Sequence, residues 1–450
     1  MPLPFLSRRR VLAVLAGGPL LLAGGTAQGD GPVDGPGTDE AVAGLHAALA
    51  ARVDAVPGQG PVFLASYEPD PATGPLEPAL RGAAFTYDNA LAAMALLARG
   101  DRARARRLGA ALAAAAAGDR HYADGRVRNA YRAGPAGTPP LPPGWWDTGS
   151  GTWAEDATMV GTATGNVCWA ALALLALHDD TGNAGDAGNA GSGAGAGTPG
   201  GTDWLGAARR LLGWVAATVR NPAAAGGFTG GFHGHEPAPV RLGWVSTEHN
   251  IDAFAAFSWL ARATGENRWE VEAAVAGRFV AAMWDARAAR FLTGTLPDGV
   301  TPSRAGSYLD AQLWPLLAFP DGPERWGRVL EMVAATHTAE GGLDFNGDRD
   351  GLWVEGTAQG ALAWRRAGSG RAGQNHRAEA RRLLAVALAE RAPGGLLHAT
   401  RAPSISTGLA LGPDSTEPDF RYYRRPHLGA TAWAVLAAEG WNPFTGRRLD

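Results

Sequence analysis

Five carboxylates open helical segments that repeat along the chain: Asp88 in TYDN, Glu248 and Asp252 in STEHNID, Asp310 in YLDAQ, and Glu355 in WVEGT. Asp252 follows Glu248 by four residues, so both lie on one face of a helix. Acids gathered in this way do proton chemistry. One carboxylic acid gives a proton to a leaving oxygen while a second carboxylate activates water or attacks carbon. Glu355 and Glu248 are the first acid/base candidates, with Asp88 and Asp310 next. The competing reading is helix-end electrostatics, in which first-turn acids offset the macrodipole by about 0.3–1 kcal/mol and Thr86 or Ser246 merely caps. Five acids at equivalent repeat positions favour chemistry over five separate caps.

Composition removes several other chemistries. The 450 residues hold 40 basic and 43 acidic side chains, a formal charge of −3, which argues against a nucleic-acid or anionic-membrane partner. Every basic residue besides histidine is arginine. Without lysine there is no Schiff base, no pyridoxal phosphate anchor and no nucleotide-binding P-loop, so no nucleotide partner is expected. The single cysteine, Cys168, excludes an internal disulfide, a thiolate zinc cage and an iron–sulfur cluster.

The acids must be positioned by helices. From residue 38 onward the apolar residues recur with helical periodicity and almost no period-two alternation. The spacing predicts twelve helices: 38–54, 84–99, 101–117, 161–178, 203–219, 246–264, 268–284, 307–319, 322–337, 353–369, 374–391 and 426–440. Segments such as NALAAMALLARG are apolar nearly all round, as buried helices are, whereas DRARARRLGAALAAA carries arginine along one face. Inner and outer layers therefore alternate. Links from inner to outer helices are short and links from outer to inner are long, which gathers the long loops on one face, where function concentrates. The exception is a Gly/Ala-rich insertion at 182–202.

Six hairpins close into a ring if 426–440 packs against 38–54, giving one domain over 38–445. At this point the chain resembles the six-hairpin glycosidase-like superfamily, on the similar starts of the inner helices: FTYDNALAAMALL, GTATGNVCWAALALL, STEHNIDAFAAFSWL, SYLDAQLWPLLAF and WVEGTAQGALAW. The resemblance implies an all-α (α/α)6 toroid acting on an oligo- or polysaccharide. Hydrolases are the main activity it implies, with lyases, epimerases and phosphorylases on related toroids. A glycoside hydrolase would use two of the carboxylates, with inversion favoured.

Under that expectation, loop 118–160 supplies sugar contacts. Trp145, Trp146 and Trp153 offer flat apolar faces, and Arg126 and Arg128 suit a carboxylated sugar. Packing of the loop itself is the alternative for each. Tyr87, His249 and Asp252 are placed with the substrate. Tyr87, His249 and Tyr308 carry the rival reading, a lyase or epimerase that removes a proton beside a carbonyl or carboxylate. A non-catalytic carbohydrate-binding ring is the third reading. His233 and His235 in FHGHE lack the spacing and partners of a zinc site. Asn346, Asp348 and Asp350 alternate before Gly351 as calcium ligands do, although Thr357 stands where an EF-hand needs glutamate. No cofactor is expected to be required; a structural calcium is the one ion this loop suggests.

Residues 1–27 place Ser7-Arg8-Arg9-Arg10 before an apolar run and end on small residues, the pattern of a twin-arginine export signal, with 28–37 as linker. The expectation is an exported protein, extracellular or in the cell envelope, with no stable membrane association once the signal is removed.

Overall fold

The structure, a computed structural model, describes residues 36–186, 202–368, 373–413 and 420–449. The export signal at 1–27 and residues 28–35 of the linker lie outside these. The first helix begins at Pro36, so the linker ends two residues earlier than expected.

Six inner helices surround an axis: Thr86–Ala98, Thr164–Asp186, Thr247–Thr264, Leu309–Ala318, Val354–Ala367 and Leu428–Ala438. Each packs against the next, and the last packs against the first. The outer layer is Pro36–Ala55, Arg102–Ala117, Trp204–Thr218, Asn267–Ala282, the pair Gly322–Trp326 and Val329–Thr336, and Gly373–Leu388. The ring closes as expected, with Leu428–Ala438 against Pro36–Ala55.

Local chemistry explains the layers. Every side chain from Asp88 to Leu96 is buried, because an inner helix has neighbours on both sides and an outer helix behind it. The outer helix Arg102–Ala117 starts on Asp101, whose carboxylate caps Arg104 N–H, and turns Ala105, Leu108 and Leu112 inward. Its Arg102 and Arg104 pair with Asp180 and Asp54 on the outside.

Three details differ from the periodicity. The helix expected at 322–337 breaks around Gly327, a residue with little helical preference whose Cβ position lies 2.5 Å from the Pro323 carbonyl. The helix Thr164–Asp186 runs into the Gly/Ala-rich insertion, whose residues 187–201 lie outside the described set. The long loops form short antiparallel ribbons, and the last, Trp441–Asn442 with Arg447–Arg448, carries the domain past residue 445. Strands of two or three residues are too short to show alternation, so hydrophobic periodicity is blind to them.

The loops and inner helices are joined by one repeated pattern. The first N–H of each inner helix has no partner inside the helix. Here it donates to a carbonyl in the loop of the following repeat: Thr86 to Asn129 (2.9 Å), Thr164 to Gly230 (3.1 Å), Thr247 to Thr293 (3.0 Å), Leu309 to Phe345 (2.9 Å), Val354 to Ala399 (3.0 Å) and Leu428 to Ser66 (2.9 Å). Two residues before each acceptor, the loop is gripped by its own helix. Asn89, Asn250 and Gln312 each receive one backbone N–H and donate to the carbonyl of the same residue, Leu64, Phe228 and Phe291. Thr357 and Thr431 accept the N–H of Leu343 and Leu397 through hydroxyls. In the second repeat the gripping position is Val167, which has no such group.

Asn250→Ala orphans the N–H and carbonyl of fully buried Phe228. It is expected to lower the unfolding free energy by about 2–4 kcal/mol, two unsatisfied groups at about 1–2 kcal/mol each, as measured by urea denaturation. A loss no larger than that of an exposed control substitution counts against the gripping role.

Candidate active site

The same pattern fixes which side chains reach the axis. The second residues of the six inner helices are Tyr87, Gly165, Glu248, Asp310, Glu355 and Gly429. One turn further in, the sixth residues of alternate helices are Trp169, Trp314 and Trp433. Their rings meet at centroid distances of 5.4, 5.9 and 6.2 Å, and Phe444 packs against all three. This aromatic plug fills the axis one turn below the second-residue layer, and the half-buried Tyr87 and Glu248 of that layer mark a pit on its loop side. The remaining sixth residues are Leu91, Asp252 and Gln359.

One arc of the pit is a hydrogen-bonded set. The Trp433 indole N–H donates to the Tyr87 hydroxyl (2.7 Å), which donates to Glu355 Oε1 (2.7 Å), and the Gln359 amide reaches the same oxygen at 3.4 Å. Glu355 Oε2 is buried without a hydrogen-bond partner among the described residues, 3.7 Å from His427 Nδ1. His427 caps the last inner helix through that nitrogen, which accepts Ala430 N–H at 3.2 Å. Nδ1 is thereby the acceptor and Nε2 faces Asp88 Oδ2 at 3.4 Å. Glycine at 429 makes the arrangement fit: a Cβ there would stand 2.5 Å from Asp88 and 2.8 Å from Glu355 Oε2.

The other arc holds Glu248, His249, Asp252 and Asp310. Gly165 plays the matching part, since its Cβ would stand 2.6 Å from the His249 ring and 3.0 Å from Asp252 Oδ2. Both Asp252 oxygens and one Asp310 oxygen are buried without hydrogen-bond partners among the described residues. Glu248, His249, Tyr87 and Tyr308 are half-buried, and the deeper acids Asp88, Asp252, Asp310 and Glu355 are buried.

Burial sets the protonation of these groups. It pushes Glu355 up to about 7, against the pull of His427, Tyr87 and Gln359 and with a further push from Asp88. It also pushes Glu248 up to about 7. Asp252 and Asp310 are raised well above the carboxylate range, by burial first and then by neighbouring carboxylates, Glu248 acting on both. The helix of Asp310 packs between those of Glu248 and Glu355, and both carboxylates add to its shift. Burial lowers His249 to about 4, leaving a neutral imidazole whose Nδ1 has no hydrogen-bond partner among the described residues. Burial would also depress His427, but Asp88 and Glu355 outweigh it and hold the imidazole above its ordinary value. Tyr87 is raised well above its usual range by burial, Glu355 and Asp310.

The other expected residues lie elsewhere. Arg126 and Arg128 do not turn into the pit. Arg126 is bound to Asp124 and lies over the Tyr122, Trp214 and Phe232 rings. Arg128 is fully buried on Asp119, Glu236 and the Val160 carbonyl. A buried guanidinium needs its donors satisfied, and carboxylates in its own loops satisfy them first. Trp145–Asp147 pairs with Thr152–Ala154 in a ribbon whose cross-strand indoles, Trp146 and Trp153, are 60% and 49% exposed. Trp145 is half-buried in it. Asn346 shapes the turn, since its Oδ1 accepts Asp348 N–H at 2.7 Å and its amide donates to Ser406 O; Asp348 Oδ1 in turn accepts Asp350 N–H at 3.2 Å and Asp350 Oδ2 accepts Ser406 N–H at 2.8 Å. A cleft of about 730 Å³ opens beside Tyr308, lined in part by Arg290, Asn346, Asp348 and Thr407.

His427, Gln359 and the tryptophan plug escaped the reading from sequence. His427 precedes a helix start, HLGAT, that carries no acid, and nothing local marks it. The plug was detectable, because tryptophan recurs at the sixth residue of every second inner helix.

No family model matches the chain, and no curated protein matches it in sequence. Solved structures match its fold. Cellobiose 2-epimerase from Spirochaeta thermophila aligns with a TM-score of 0.57 at 14% identity, over 90% of this chain and 97% of that one. An unsaturated glucuronyl hydrolase specific for heparin gives 0.54 at 11%, over 89% and 95%. A family 76 glycoside hydrolase from a bovine Bacteroides thetaiotaomicron strain gives 0.54 at 11%, over 89% and 77%. With the closed ring of six hairpins, these similarities show that the chain's fold is the (α/α)6 toroid.

Proposed function

We propose that the protein is a glycoside hydrolase that works on an oligo- or polysaccharide at the mouth of the pit. The observation that carries this reading is the pair Glu355 and Glu248. They occupy the same position on two inner helices, flank the helix of Asp310 in the ring, and are both pushed to about 7. Glu355 is the general acid. Tyr87 holds its Oε1, so the proton resides on Oε2, which has no other hydrogen bond among the described residues. Glu248, less buried, is the base that takes a proton from water. Carboxyls borne on helices with a third helix between them suit inversion, which needs a spacing of about 6.5–9.5 Å to admit that water. The exposed Trp146 and Trp153 support a chain-like substrate reaching beyond the pit. Neutral imidazole at His249 supports a second reading, a sugar epimerase or lyase in which that nitrogen removes a proton. Arg126 and Arg128, both engaged in their loop, no longer favour a carboxylated sugar for it. A purely binding role fits poorly with acids left unpaired at a cost. The Ser7–Arg10 motif and the apolar run after it support export by a twin-arginine-type route.

Incubation with neutral and uronic polysaccharides separates these readings when reducing ends and ultraviolet absorbance are followed together. New reducing ends without absorbance are expected. Absorbance rising with them would mean elimination, and an altered sugar with neither signal would mean epimerisation. Glu355→Gln is expected to lower kcat by about a hundred- to ten-thousand-fold with the melting temperature retained. Unchanged turnover removes Glu355 from the mechanism.

The acid works only while protonated and the base only while ionised. With both at about 7, kcat/KM falls on either side of a narrow maximum near pH 7. A plateau from pH 5 to 9 would contradict the assignment.

Gly429→Ala adds a methyl group between Asp88 and Glu355. Loss of turnover with a folded ring is expected, and full activity in this variant would show that these carboxyls need not approach.

A further inference from the structure

The loop that leads into Glu355 contains a second group of acids, outside the pit. Asp344, Asp348 and Asp350 bring carboxylate oxygens within 4.8 Å of one another. Asp344 is the informative member, for its side chain is 0% exposed. Its Oδ1 accepts the Phe345 N–H at 2.7 Å, while its Oδ2 is buried and without a hydrogen-bond partner among the described residues. The side chain that carries this unpartnered oxygen is clustered with the exposed carboxylates of Asp348 and Asp350.

Neighbouring cations do not neutralise the group. Arg349 stands in the left-handed region (φ 59°) and sends its guanidinium back to the carbonyls of Ala335 and Thr336. Arg421 comes only to 4.0 Å from Asp350. A buried carboxylate oxygen that no backbone N–H or guanidinium reaches is expensive, and a cation offsets that expense. The donors are all hard oxygens, with no histidine or sulfur among them, which selects a hard ion over a transition metal. The exposed side leaves room for several waters and for irregular angles, which calcium accepts and magnesium resists.

We propose that Asp344, Asp348 and Asp350 bind one calcium ion, with water completing its coordination. To Asp348 and Asp350, which sequence spacing suggests together with Asn346, the fold adds the buried Asp344 with its unpartnered oxygen. The site is independent of the reaction proposed above, and its role is mechanical. Asp344 N–H is bound to His337 O at 2.7 Å, and Phe345 O receives the first N–H of the helix that carries Asp310. The Phe345 ring packs on Tyr308 and on Trp353, the residue before the Glu355 helix. Calcium would therefore fasten the loop that braces two acid-bearing helices.

Calorimetric titration of the chelator-treated mature chain with calcium chloride tests this, alongside thermal melting. The expected result is one ion per chain, a higher melting temperature with calcium, and magnesium binding at least about tenfold more weakly. Asp344→Asn should weaken calcium binding at least about tenfold. If that variant does not fold, Asp348→Asn with Asp350→Asn, both on the exposed side, should do the same. No heat and no melting shift up to about 10 mM calcium, above the roughly 0.1–1 mM range of weak extracellular sites, would overturn the proposal. So would unchanged binding in the double variant.

Discussion

Every inner helix begins with a backbone N–H that its own helix cannot satisfy, and the ring is built on how those six donors are used. Each is given to the loop of the next repeat, and the last, from Leu428, goes to Ser66 near the start of the chain. The bond crosses from repeat to repeat, so the six hairpins are registered against each other at the loop face. Because it is made by the backbone, it tolerates Thr, Leu or Val at the donor position. It also fixes how far each helix starts from the axis. The second and sixth residues then point to the centre whatever their type, which is how an acid layer and a tryptophan layer arise from the same register.

Such a layer is costly. Glu355, Asp310 and Asp252 are buried with oxygens that lack hydrogen bonds among the described residues, and the two glycines at 165 and 429 give up side-chain packing to let carboxylates approach. The tryptophan plug raises that cost by excluding water from below. Burial of the acids raises their pKa values, since it disfavours the charged form. The same burial that penalises the fold keeps two carboxyls near neutrality, where a proton can be both given and taken. Structures accept this kind of local loss where chemistry requires it.

The sequence made the ring legible because helical periodicity is a local signal repeated over whole segments, and because short and long links alternate regularly. The acids were legible for the same reason: Glu248, Asp310 and Glu355 recur at the second position of an inner helix, with Asp88 at the third and Asp252 at the sixth. What could not be read is choice of partner. Arg126 and Arg128 look free in a loop of polar and aromatic residues, yet Asp119, Asp124 and Glu236 claim them, the last from more than 100 residues away. His427 stands next to Asp88 only because the ring closes, and closure is a long-range event. In the Asp344–Gly351 loop the spacing of Asn346, Asp348 and Asp350 marked the turn, but the burial of Asp344 beside them depends on packing that spacing does not encode.

The repeats also separate what the fold needs from what it does not. Gripping residues are Asn, Asn, Gln, Thr and Thr in five repeats, all able to bond a backbone group, so that position answers to the scaffold. The second position holds Tyr, Gly, Glu, Asp, Glu and Gly, a set with no shared size, charge or bonding capacity. A scaffold requirement common to six repeats would have produced a common residue type. Helix-end electrostatics cannot explain it either. First-turn acids contribute at most about 1 kcal/mol at an exposed helix start, less than the roughly 1–3 kcal/mol lost when a buried polar atom goes unsatisfied. On the proposed function, the acids at this position serve the pit and what enters it, and the ring is the device that brings them together.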